Sequence, residues 1–75
     1  MFKIGDRVAY KASFLRSIGD YSYDSASMRG TVAEVFPEVR RGQQVLSIKW
    51  DGDQEVRGSL SGNLILKDRL HLEPA

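Results

Sequence analysis

Seventy-five residues, 41% of them hydrophobic, bound this chain to one small domain, residues 1–75, whose core is real but marginal. Eleven Lys/Arg against ten Asp/Glu leave a net charge of +1, well short of the excess usual in a dedicated nucleic-acid binder. With no cysteine, neither a disulfide nor a thiolate–metal site can staple the fold. No apolar run approaches the roughly 18 residues of a membrane span.

A reducing, cytoplasmic setting is therefore expected, with no membrane partner, and the N-terminus carries no signal-peptide apolar region. The charge is uneven. Residues 1–50 hold eight Lys/Arg and five Asp/Glu, and residues 51–75 hold three and five, so a basic face is permitted but not required.

Gly5-Asp6 reads as a turn into a first strand, roughly Asp6 to Tyr10, in which Val8 and Tyr10 alternate with Arg7 and Ala9. Phe14, Leu15 and Ile18 then fall at helical spacing before Gly19. That predicts one or two helical turns, too short to stand alone. Asp20 to Ser27 is polar and reads as loop, giving a long first connection of the kind that is usually functional. Met28 to Phe36 reads as a second strand ending at Pro37. Val32, Val35 and Phe36 break strict alternation there, which predicts a bulge or bend. Glu38 to Gln44 is a charged turn. Val45 to Asp51 is the cleanest strand, with Leu46, Ile48 and Trp50 on one face. Asp51-Gly52-Asp53 is a hairpin turn, with Gly52 at positive φ. Gln54 to Ser59 returns as a fourth strand with Val56 inward. Ser61 to Leu64 is a tight turn, and Asp68 to Glu73 a last strand with Leu70 and Leu72 inward.

Five short strands around one dominant hairpin predict an all-β fold. The expected form is a small five-stranded SH3-like barrel with a long first loop carrying a short helical turn. An OB-like barrel is the alternative, but it needs longer strands and a helix between the third and fourth. The expected core joins Val32, Leu46, Ile48, Val56, Leu70 and Leu72, with Phe14 or Ile18 plugging the open end. Gly30 is expected where a side chain is disfavoured.

Gly5-Asp6-Arg7-Val8, Arg29-Gly30-Thr31-Val32, Ile48-Lys49-Trp50-Asp51 and Asn63-Leu64 before a final Leu-x-Leu resemble the KOW/Tudor-like branch of SH3-like barrels. With its inserted Phe14-to-Gly19 segment the chain looks like small bacterial proteins, some carried on phage or mobile elements. The resemblance spans nearly the whole chain, and its motifs are turn and core signatures. It implies attachment to nucleic acid or a nucleoprotein machine, or recognition through an aromatic cage. Plasmid-type dihydrofolate reductases use a related barrel, but their Val-Gln-Ile-Tyr segment is missing here, so that activity is not carried over.

No catalytic, cofactor or metal set stands out. His71, the only histidine, is expected on an outward face. Asp51 and Asp53 astride Gly52 lack the twelve-residue calcium-loop pattern. Ser61-Gly62-Asn63 follows no glycine-rich phosphate loop. Two groups remain as candidate ligand-binding residues. Tyr21 and Tyr23 from the long loop, approaching Trp50, would form an apolar groove for a peptide, a cation or a base. Alternatively, Trp50 belongs to the core along with Tyr10, Phe14 and Phe36. Lys11, Arg16, Arg29, Arg40, Arg41 and Lys49 form the basic set, with Arg40-Arg41 placed to grip phosphates. An ordinary solvated surface is the competing reading, because Asp20, Asp24, Glu34 and Glu38 dilute any positive field. The function expected is a non-enzymatic interaction module, binding nucleic acid weakly or a protein or peptide, as a monomer or small homo-oligomer.

Overall fold

The computed structural model describes residues 1–20 and 23–72, with Tyr23 described by its backbone alone. Gly5, at φ 93°, turns the chain into strand β1 (Arg7–Tyr10). Helix α1 (Ala12–Ser17) follows at once. It has no side-chain cap at its start, and it ends in a Schellman arrangement. Gly19 sits at φ 74°, its N–H donates to Arg16 O, and the Asp20 N–H donates to Leu15 O. Six residues cannot hold a helix alone, and packing supplies the rest: Leu15 is buried and Phe14 stacks on Tyr10 at 5.2 Å. A second short helix, α2 (Tyr23–Ser27), lies where the sequence predicts loop.

Strands β2 (Gly30–Arg40) and β3 (Gln43–Trp50) form the central hairpin. Its turn is only Arg41-Gly42, both at positive φ (53° and 74°), the pattern that suits the right-handed twist of a two-residue hairpin. The charged turn expected over Glu38–Gln44 is thus mostly strand. Pro37 does not end β2. It falls between the Val35 and Val39 pairings, where the register shifts and the missing N–H has no ladder bond to break. The expected bulge is present at Ala33: Val32 opposes Ile48 and Glu34 opposes Ser47, so Val32 and Val35 both reach the core although three residues apart.

Gly52, at φ 85°, turns the chain toward β4 (Val56–Leu60). A 3₁₀ turn (Ser61–Asn63), β5 (Leu64–Leu66) and a 3₁₀ helix (Lys67–Leu72) complete the described chain. The five strands form one antiparallel sheet in the order β4-β3-β2-β1-β5. Laid flat, five strands at about 4.8 Å spacing would hold the two edges about 19 Å apart. The link from Leu60 to Leu64 spans at most about 14 Å fully extended. The sheet must therefore curl. It does not close by strand pairing. Instead, Gln44 Oε1 accepts from Phe2 N at 2.8 Å and its Nε2 donates to Phe2 O at 3.1 Å. Gln44 N donates to Ser61 Oγ, and Gln43 Oε1 accepts from Gly62 N at 2.7 Å. Two amide side chains thus tie the N-terminal segment and the 3₁₀ turn to β3.

The core gathers Val8, Val32, Leu46, Ile48, Trp50 and Leu64, with Phe2, Tyr10, Val35 and Leu66 packed against it. Gly30 lies under Trp50: an added Cβ would sit 2.8 Å from Ile48 Cγ2 and 2.9 Å from Trp50 Cε3. Three expected core members are elsewhere. Val56 opposes Lys49 in the β3–β4 ladder, which puts it on the outer face and 52% exposed. Leu70 and Leu72 belong to a 3₁₀ helix and not to a strand, because Leu64–Leu66 already fills the edge of the four-residue β1. Leu72 is 63% exposed and Leu70 half-buried. Phe14 is half-buried against Tyr10, while Ile18 is exposed.

Candidate ligand-binding furrow

Val8 and Tyr10 face the core, which leaves Arg7 and Ala9 on the opposite side of β1, where Ala9 is itself fully buried, with Lys11 continuing that side. Ala9 opposes Ile65 of β5, and Lys11 N donates to Asn63 O at 2.9 Å. α1 begins directly after Lys11, and the Lys67–Leu72 3₁₀ helix follows β5, so Arg16 reaches Lys11 from the adjoining helix and Arg69 from the far end of the chain. These three cations, with Ala12, Ser13, Ile65 and Leu72, line a hollow of about 380 Å³. A second hollow, of about 730 Å³, shares Lys11, Ile65 and Arg69 and runs on past Phe2, Gln43 and Gln44 to Val39 and Gly42 of the hairpin. Together they make one furrow with its cations at and beside the junction.

Among the described residues no carboxylate lines either hollow, and none of the three cations has an ion-pair partner. Unpaired Arg and Lys donors beside apolar walls suit a phosphate or carboxylate carried on an apolar or aromatic body.

Three other arginines are already matched to carboxylates. Arg7 forms a bidentate pair with Asp51 (2.8 and 2.5 Å) and also donates to Thr31 Oγ1. The Arg7 fork, chiefly through its hydrogen bonds, lowers the Asp51 carboxyl below its ordinary range and raises its own guanidinium. Arg57 does the same for Asp53 at 2.7 Å, helped by the Glu55 N–H.

Lys11 and Arg16 are thus brought together as candidates, and Arg69 joins them. Arg29 is spent on its own loop, donating to Ala26 O and Met28 O. Arg40 pairs with Glu38 at 3.2 Å and borders a separate hollow of about 350 Å³ with Gly58 and Leu60. Arg41 occupies the exposed hairpin turn, beside the furrow's far wall at Gly42. Lys49 is half-buried and donates to Trp50 O. Trp50 is 1% exposed and stacks on Tyr10 at 4.4 Å, so it is core and lines no groove. Tyr21, like the side chain of Tyr23, lies outside the described residues. His71 is exposed, as expected.

Among the described residues no three His, Asp or Glu side chains are grouped to hold a metal ion, and no helix is long and apolar enough to cross a membrane. Sequence reasoning missed Arg69, because a strand over Asp68–Glu73 would give it no reason to meet Arg16. No family model, curated protein or solved structure matches the chain.

Proposed function

We propose that this chain is a non-enzymatic, cytoplasmic interaction module, an SH3-like barrel of the KOW/Tudor-like kind, whose ligand is single-stranded nucleic acid, free or within a nucleoprotein complex. The strand order, with both sheet edges joined through a three-residue 3₁₀ turn, supports the SH3-like reading. One observation carries the ligand assignment: Lys11, Arg16 and Arg69 converge on a furrow that no carboxylate lines among the described residues. Phosphates would take the cations while bases rest on the apolar walls, a division of labour that suits single strands and tolerates any sequence. The net charge of +1 sets the expectation of weak binding.

Fluorescence anisotropy with labelled oligo(U) and oligo(dT) across a salt series tests this. Affinity should fall steeply with salt, because phosphate neutralisation releases counterions. Replacing Arg16 and Arg69 with glutamine should weaken all sequences alike and flatten the salt slope by about 1 per lost phosphate contact. Exposed Val39 (66%) and Leu72 (63%) at the furrow's two ends favour a second reading, a peptide ligand with an acidic centre and apolar flanks. Salt-sensitive binding of such peptides with no response to either oligonucleotide would select it.

A further inference from the structure

Gly58 lies in the middle of β4, where nothing in the monomer asks for glycine. Its φ is not in the left-handed region, and an added Cβ would meet only Leu46 O, at 4.0 Å. Glycine inside a strand costs conformational entropy and leaves a gap in side-chain packing. It commonly marks a place where another backbone comes close. β4 is also one of the two edges of the sheet, hydrogen-bonded to β3 alone among the described strands. Its sequence, Val56-Arg57-Gly58-Ser59-Leu60, is symmetric in chemical class about that glycine: apolar, polar, glycine, polar, apolar.

We infer that β4 pairs antiparallel with β4 of a second copy of this chain, on a two-fold axis through Gly58. In that register Gly58 opposes its own copy, Val56 opposes Leu60, and Arg57 opposes Ser59. The strand then pairs along its full length. No like charges meet. Val56, 52% exposed in the single chain, gains an apolar neighbour from the other copy, as does half-buried Leu60. The interface is isologous and therefore closes at a dimer. Other registers lose this match: sliding by one residue sets Val56 or Leu60 against a polar or charged side chain. The occupant that fits a strand matched to itself is that same strand, which is why a second copy is favoured over an unrelated extended peptide.

The absence of native cysteine makes a direct test available. Directly opposed residues in an antiparallel pair have Cα atoms about 4.5 or 5.5 Å apart, within the span of about 4.4–6.8 Å that a disulfide bridges. A Gly58→Cys chain, whose new side chain has room in the monomer, should oxidise rapidly to a covalent dimer with an unchanged circular dichroism spectrum. An Asp68→Cys chain at an exposed site should cross-link far more slowly. In sedimentation equilibrium the natural sequence should show a monomer–dimer equilibrium, and Gly58→Glu should weaken it about fivefold by setting like charges face to face. Equal cross-linking of the two cysteine chains, a monomer up to millimolar concentration, or a dimer indifferent to Gly58→Glu would each overturn the inference.

Discussion

At the scale of single residues, two glycines in strands have opposite meanings. Gly30 is held by Trp50 and Ile48 at distances no Cβ tolerates, whereas a Cβ at Gly58 would meet only Leu46 O, at 4.0 Å. Gly30→Ala should therefore cost about 1–3 kcal/mol by overpacking the core. Gly58→Ala should leave the dilute, monomeric protein unchanged or slightly more stable. Urea unfolding at low protein concentration measures both. Equal effects would show that the approach of Trp50 to Gly30 is misplaced. Gly30 was legible only as a position where a side chain is disfavoured; the cause, Trp50 lying over it, comes from its partner strand. Gln43 and Gln44 were not. A glutamine becomes structural only through its partners, and those of Gln44 lie 42 residues away at Phe2. Gln44→Ala should cost about 1–3 kcal/mol, since it strands part-buried backbone groups of Phe2. It should also accelerate amide exchange at Phe2.

At the scale of elements, β3 was readable because strict alternation of Leu46, Ile48 and Trp50 fixes its face without reference to any other strand. The face of β4 depends on the length of the turn before it. Starting the strand at Val56, opposite Lys49, turns that valine outward, and nothing in Gln54 to Ser59 alone reveals this. The same turn is braced by charge. Arg7 on β1 clamps Asp51, and Arg57 clamps Asp53. Both carboxyls are lowered in the folded state, principally by those arginines. Their stabilising contribution is thus fully present above the ordinary aspartate range, near about 3.9. It is lost as pH falls through the lower folded-state values. Thermal melts from neutral to acid pH should show stability dropping below about pH 4. Asp51→Asn combined with Asp53→Asn should flatten that drop. An unchanged acid limb in the double variant would remove these pairs from the account. Both pairs reach solvent through at least one well-exposed partner, so added salt should shrink their effect.

At the scale of the whole molecule, the curl of the sheet creates the furrow. β5 returns to β1, its trailing 3₁₀ helix sets Arg69 beside Lys11, and α1 sets Arg16 on the other side. The all-β class, the Gly52 turn between β3 and β4 and the irregular first connection follow from local turn chemistry and alternation, so the sequence disclosed them; the long β2–β3 hairpin turning at Arg41-Gly42 it did not. The furrow follows from where the last residues go once β1 has no edge left to offer, which is a property of the assembled sheet. Hence Lys11 and Arg16 could be singled out as basic residues, while their convergence with Arg69 could not. An amide-shift titration of the folded protein with oligo(U) at low salt tests the central claim most directly. Shifts should centre on Lys11, Ala12, Ser13, Arg16, Ile65 and Arg69 and fade as salt is raised, with Arg29 and Lys49 little affected. Shifts centred on Arg40 and Glu38 with the furrow silent, or no shift anywhere at saturating oligonucleotide, would contradict it.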